Sequence, residues 1–261
     1  MQIDGAQVLI TGANRGIGLA LAVAMARRGA HLHVQSRTQA DGLSALLKNE
    51  GALSVKVWQV DLSERESVER WVDQLKDEKI DIVVNNAGQL TGGLLEEQPL
   101  DQIYSMFQVN LLALVHLTRG LIPGMVARGR GKIVNNSSVS AVMHFPCAST
   151  YAASKAAVLA FTDCLQAELS GTGVDTLCLI TPGIKTRMFD EIETKYSKNF
   201  EIPQDSISPE AYAAQVCDAI LADQPLLEPK GATGLGLFVA RHIPALFRRE
   251  AQRRFSRTPK T

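Results

Sequence analysis

Gln7-Val8-Leu9-Ile10-Thr11-Gly12-Ala13-Asn14-Arg15-Gly16-Ile17-Gly18 is the stretch that decides the fold. Its first four residues form a short apolar run stopped by Thr11-Gly12, which predicts a buried strand. A glycine turn follows, then a helix to Arg28 capped by Gly29. Strand, glycine turn and helix N-terminus together make an anion site. Glycines let the backbone approach a pyrophosphate, and the free N–H groups of the first helical turn point at it. The spacing is GxxxGxG rather than the commoner GxGxxG.

Outward from this unit the same alternation repeats. His31 to Ser36 reads as a second strand, and Asp41 to Glu50 as a helix ended by Gly51. Ser54 to Val60 is a third strand, with Asp61-Leu62 at its end. Ser63 and Glu66 have capping-box spacing for a helix that runs to about Lys76. Asp81 to Val84 is a fourth strand, followed by Asn85-Asn86-Ala87-Gly88. Lys132 to Asn136 and Val174 to Ile180 are the fifth and sixth. Strands that alternate with helices predict an α/β fold, a doubly wound parallel sheet with helices on both faces. In such sheets ligands bind beyond the carboxyl ends of the strands, where Gly12, Arg37, Asp61 and Asn86 fall.

The second strand ends in Ser36-Arg37, with no acid at its tip. An acid there would bind the ribose hydroxyl of NAD, whereas a basic residue accommodates the phosphate of NADP. The expected cofactor is NADP(H), with Arg15 as a second positive charge and NAD(H) as the alternative.

Two helices carry polar residues that need a reason. Asn110 lies inside an apolar helix read as Leu100 to Ala127, where asparagine competes for backbone hydrogen bonds. Either its side chain is buried and bonded, or it marks a kink that exposes a carbonyl. Tyr151 and Lys155 lie four apart in a helix read as Tyr151 to Leu169, on one face. An ammonium close to a phenol favours the phenolate. Moving the phenol from about 10 to about 7 takes roughly 4 kcal/mol, and yields an acid/base that works at neutral pH.

Of the 261 residues, 46% are hydrophobic and 21% charged, an ordinary globular balance. The net charge is zero, so no nucleic-acid partner is expected. Four cysteines without CxxC spacing and five scattered histidines point to reduced thiols in the cytoplasm and to no metal. No secretory signal pattern opens the chain. The longest apolar run, Leu111 to Leu117, is too short to span a bilayer.

Taken together, TGANRGIG at 11–18, Asp61-Leu62, NNAG at 85–88, Asn110, Ser138, YAASK at 151–155 and Pro182-Gly183 resemble the short-chain dehydrogenase/reductase family, in order and spacing as well as in letters. The resemblance runs from about residue 5 to about residue 222. It implies carbonyl–alcohol interconversion by hydride transfer, with a tetrad of Asn110, Ser138, Tyr151 and Lys155. In it Tyr151 is the general acid or base and Ser138 bonds the substrate carbonyl. Lys155 holds the cofactor ribose and lowers the Tyr151 pKa, while Asn110 positions a water. It also implies cofactor binding by Gly12, Asn14, Arg15, Gly16, Ile17, Gly18, Arg37, Asp61, Leu62, Asn86, Ala87, Gly88, Pro182, Gly183 and Ile184, together with Tyr151 and Lys155. A dinucleotide-binding protein without turnover is the alternative on the same fold.

Two departures from the family pattern stand out. Thr186 is four residues after Pro182 rather than five. Beyond Pro229 the chain ends in a basic, helix-like tail, looser in likeness to retinol and hydroxysteroid dehydrogenases. The catalytic unit is expected over residues 1–240 with a lid at 184–207, and the tail over 241–261. Within the tail Ile243, Leu246, Phe247 and Ala251 recur at helical spacing after Pro244. Packing on the protein's own core or on a second subunit is expected above contact with a membrane surface. A homo-oligomer, dimer or tetramer, is expected. Ser140 to Ala148 and the lid residues Met188, Phe189 and Ile192 are mostly apolar and predict a small hydrophobic substrate, with His144 shaping the wall.

Overall fold

Parallel strands need long crossovers, and helices supply them here. The computed structural model describes residues 1–185 and 206–258. Strands β1 (Gln7–Thr11), β2 (His31–Ser36), β3 (Ser54–Gln59), β4 (Ile82–Asn85), β5 (Gly131–Asn136) and β6 (Val174–Leu179) belong to one sheet, with the two-residue β9 (Leu226–Leu227) at its edge. The order is β3-β2-β1-β4-β5-β6-β9, and each neighbouring pair is parallel. Leu9 sits opposite both His33 and Val83, so β1 is central and the winding reverses between β1 and β4. That reversal opens a crevice at the carboxyl ends. A separate pair joins β7 (Gly183–Ile184) to β8 (Ser206–Ile207).

Helices cover both faces. On one, α1 (Gly16–Ala26) and α7 (Pro209–Leu221) pack on the core of Val8, Ile10, Leu32 and Val34. Helix α2 (Leu43–Asn49) adds Leu43 and Leu47 to that core. On the other, α3 (Arg65–Leu75) buries Val68, Trp71, Val72 and Leu75, three or four apart, against Leu9 and Val83. Ser63 does not form the expected capping box. Its hydroxyl donates to Asp61 at 2.6 Å, and Glu64 takes the N-cap position without a side-chain bond.

The helix around Asn110 is longer and less regular than a plain α-helix. It runs as α4 (Leu100–Phe107), a π-turn over Gln108–Leu112, and α5 (Ala113–Arg128). At 29 residues it is long and apolar enough to cross a membrane. Its side chains Met106, Val109, Leu117, Leu121 and Met125 are instead buried within the protein. Helix α6 (Ser149–Glu168) lies beside this π-turn.

The last two helices, α8 (Gly231–His242) and α9 (Pro244–Arg253), pack together. Pro244 starts α9, as expected. The anticipated apolar stripe divides. Ala251 is buried and Phe247 packs against Phe145, with ring centres 5.7 Å apart, whereas Ile243 and Leu246 are exposed. Met188, Phe189, Ile192 and Thr186 lie outside the described residues.

Candidate active site

The glycine turn is built to let something approach. Gly12 and Gly16 have φ of +67° and +55°, the left-handed region that glycine enters at no steric cost. A side chain at Gly18 would run into the Gly12 carbonyl and come within 2.6 Å of Asn86 Nδ2. Helix α1 begins here without a side-chain cap, so its first N–H groups face the turn. Asn14 and Arg15 are exposed beside it, Ile17 is half-buried, and Arg37 is exposed just past β2.

Buried polar groups hold this turn. The Gly12 N–H donates to Gln35 Oε1 at 2.9 Å, and Gln35 Nε2 donates to the Val60 carbonyl at 2.6 Å. Thr11 Oγ1 accepts from the N–H groups of Asn86 and Ala87, at 3.0 and 2.9 Å. Asn86 Nδ2 donates to the Thr11 carbonyl at 3.0 Å. Asp61 accepts from the Ser63 N–H at 2.9 Å, and Leu62 is buried behind it. The carboxyl ends of β1, β2, β3 and β4 are thereby tied into one wall.

The second wall holds the tetrad. Asn110 is 1% exposed. Its Oδ1 accepts from the Gln89 N–H at 2.7 Å, and its Nδ2 donates to the Gln89 carbonyl at 2.9 Å and to Ser154 Oγ at 3.1 Å. The bonded side chain and the widened π-turn therefore occur together. Such turns gather at functional sites because they re-aim backbone groups. Gly88 lies between Asn110 and Lys155: a Cβ there would stand 3.5 Å from Asn110 Oδ1 and 3.7 Å from Lys155 Nζ.

Two adjacent serines separate in role. Ser137 Oγ donates to the Lys155 carbonyl at 2.8 Å, which fixes α6 against β5. Ser138 Oγ accepts from the Ser140 N–H at 3.2 Å and acts on the Tyr151 phenol, whose pKa it lowers. Lys155 Nζ donates to the Asn136 carbonyl at 2.8 Å. It stands 5.9 Å from the centre of the Tyr151 ring. After β6, Thr181 donates to Asn136 Oδ1 and is 2.7 Å from the buried Tyr212 hydroxyl. Pro182 and Gly183 then turn the chain, and Ile184 enters the core.

The electrostatics correct one expectation. Burial pushes the Tyr151 phenol up, and the Ser138 hydroxyl pulls it back only in part. Lys155 does not lower it in the chain by itself, because its ammonium is directed at Asn136 rather than at the phenol oxygen. Burial also lowers Lys155 itself, to about 8. Among the described residues no group of three His, Cys, Asp or Glu is placed to hold a metal ion.

A cavity of about 470 Å³ lies nearby, lined by His144, Phe145, Pro146, Ser149, Ala152, Ala153 and Ala156, and by Arg248, Ala251 and Gln252 of α9. The expected wall segment thus lines a cavity, and the tail closes it. On α6, Ala153 projects opposite to Tyr151 and Lys155, whereas Ala152 lies one turn from Lys155. Three residues that build the site carried no motif: Gln35, Gln89 and Asn136. For Gln35 and Asn136 a signal exists, a polar residue at the carboxyl end of a buried parallel strand.

Fold and site define a class, a doubly wound α/β protein with a glycine cradle facing a Ser–Tyr–Lys cluster across the carboxyl ends of its strands. The chain matches the short chain dehydrogenase family over residues 6–197 and belongs to it. It is therefore an oxidoreductase of that family, acting on CH–OH groups. It is 35% identical to the ketoacyl reductase HetN of Nostoc sp. over 200 residues, 75% of this chain and 69% of that protein. It is 34% identical to epidermal retinol dehydrogenase 2 of Mus musculus over 229 residues, 85% and 73% of the two. The solved short-chain dehydrogenase from Sphingobium yanoikuyae in complex with NADPH superposes with a TM-score of 0.79 at 25% identity, covering 98% of each chain.

Proposed function

We propose that this protein reduces a small hydrophobic ketone or aldehyde, or oxidises the matching alcohol, with NADP(H) and with Tyr151 as the proton-transfer group. The observation that carries this reading is that Lys155 stands on the same helix face as Tyr151, 5.9 Å from its ring centre, with Ser138 acting on the same phenol. The glycine cradle, the uncapped start of α1 and the exposed Arg37 and Arg15 fit the phosphates of NADP(H). Asp61, Asn86, Ala87, Gly88, Pro182 and Gly183 line the same ends of the strands and complete its binding wall. A bound NADP(H) supplies or accepts the hydride. The NADPH-bound relative supports the cofactor assignment.

In this mechanism Ser138 donates to the carbonyl oxygen of the substrate and Tyr151 gives that oxygen its proton. A phenol raised by burial is protonated at neutral pH, the form that reduction consumes. In the oxidative direction Tyr151 takes the proton back. Lys155 orients the cofactor ribose, and Asn110 holds the turn through which a water reaches Lys155. Relatives named for ketoacyl and retinol substrates support a hydrophobic substrate. The working state is a homo-oligomer, dimer or tetramer, in the cytoplasm or at the periphery of a membrane.

The experiment is a screen of ketones, aldehydes and secondary alcohols, followed by NADPH absorbance, with NADH in parallel. Turnover of carbonyls with NADPH preferred is the expected result. No turnover of any carbonyl or alcohol with either cofactor, in a chain that binds NADPH, would remove the catalytic reading.

A further inference from the structure

The two terminal helices are two-faced. On α8, Leu237 and Ala240 are buried in a cluster with Met143, Cys178 and Ile180. Leu235, Phe238 and His242 recur on the opposite side of that helix, three and four residues apart. Leu235 is 65% exposed and Phe238 56%, and the Phe238 ring lies 4.5 Å from that of His242. On α9, Ala251 and Phe247 face inward, while Leu246 is 52% exposed and shares a helix face with Arg249 and Arg253. Ile243, at the junction, is 48% exposed. Four large apolar side chains thus stand in water on two successive helices.

Charge is concentrated on the same segment. The whole chain is neutral, yet residues 230–258 hold seven basic residues and one acid, Glu250. Glu250 bonds Arg253 and Arg254, and Glu228 pairs with Arg241. Among the described residues no carboxylate pairs with Arg248 or Arg249.

We propose that the outward face of α8 and α9 docks this protein on an anionic bilayer. Leu235, Phe238, Ile243 and Leu246 enter the boundary between headgroups and acyl chains, and Arg248 and Arg249 meet the lipid phosphates. A second copy of the chain is the poorer occupant. A two-fold contact sets a patch against itself, and here that brings like charges together. Docking of this kind is independent of the chemistry proposed for Tyr151.

Flotation of the full chain with vesicles tests it, using phosphatidylcholine alone and phosphatidylcholine mixed with phosphatidylglycerol. The mixed vesicles are expected to capture the protein, phosphatidylcholine to capture it weakly, and added salt to release it. Arg249→Glu removes a cation and adds an anion. It is expected to weaken binding to mixed vesicles roughly thirty-fold and to leave binding to phosphatidylcholine unchanged. Phe238→Asp is expected to weaken binding to both. Far-UV circular dichroism and NADPH turnover in lipid-free buffer show that each variant is folded. Wild-type protein that stays out of the lipid fraction at low salt overturns the proposal, as do folded variants that bind like wild type. If wild type ignores vesicles while Phe238→Asp turns a dimer into a monomer, the face is a subunit interface and the proposal fails.

Discussion

The Lys155 ammonium donates to the backbone carbonyl of Asn136 at 2.8 Å, at the carboxyl end of β5. Asn136 in turn uses its side-chain amide to reach Asn86 Oδ1 at 3.2 Å, and Asn86 bonds Thr11 at the start of the glycine turn. One chain of hydrogen bonds therefore connects the lysine of the tetrad to the cradle. Each intermediate group in that chain is at least partly buried.

Tyr151→Phe keeps the ring and removes the proton donor. Turnover is expected to fall by about 10²–10⁴-fold, the range of general acid catalysis, with NADPH affinity retained. Steady-state kinetics beside a fluorescence titration of NADPH would separate the two. Activity above a tenth of wild type would remove Tyr151 from its role.

Arg37 is exposed at the tip of β2, with no acid beside it in sequence. Arg37→Asp takes away a partner for the 2′-phosphate and adds an acceptor for a ribose hydroxyl. The ratio of kcat/KM for NADPH to that for NADH is expected to fall by at least about tenfold, since a lost ionic hydrogen bond is worth about 1.5–3 kcal/mol. An unchanged ratio would make Arg37 a solvated surface residue.

Gly18→Ala places a methyl group against the Gly12 carbonyl and Asn86 Nδ2. Backbone on one side cannot move aside cheaply, so a loss of about 1–3 kcal/mol in stability is expected. Since Gly12 and Asn86 both belong to the cradle, cofactor affinity should fall with it. Urea unfolding and NADPH titration check the two effects. Normal values for both would mean that the turn is looser than its geometry.

Lys155 gives a pH signature. Its folded pKa is about 8, below the ordinary 10.5, because burial disfavours the charged form. Between those values the unfolded chain binds more protons than the folded one, so this group's contribution to stability rises with pH. Cys178, pushed up to about 12 by burial, drifts the opposite way above pH 9. A comparison of wild type with Lys155→Met removes most of that drift, the remainder being the mutual effect of Lys155 and Cys178. The stability of wild type relative to the variant is expected to rise by about 3 kcal/mol from pH 7 to pH 10. Urea unfolding at both pH values measures it, and a constant difference would show that Lys155 titrates normally.

Alternation of apolar runs with helical stretches, and glycines where a turn must follow a strand, were enough to read the order of the parallel units from Gln7 to Leu179. Those signals are local: burial on both faces makes a strand apolar, and a missing Cβ permits the turn. The site motifs were legible for the same reason, since Tyr151 and Lys155 are related by one helical turn wherever that helix sits. The capping box at Ser63 misled because two local partners competed for one hydroxyl, and Asp61 prevailed. The helix Gly231–His242 falls in the helix-like tail expected beyond Pro229, but its buried side and the edge strand Leu226–Leu227 depend on remote residues such as Met143 and Cys178.

What the amino-acid sequence by itself determined was the class of fold, the strands that carry the cradle, and the spacing that sets Tyr151 and Lys155 on one helix face. Tertiary structure alone decided what the tetrad's groups do to one another. Lys155 turns to Asn136, nineteen residues away, and Ser137 is taken by the Lys155 carbonyl. It also decided which side of the tail faces the core. The physical reason is the same in each case. Periodicity and turn chemistry act between near neighbours, whereas a proton's affinity and a side chain's exposure depend on desolvation and on partners that only packing brings together.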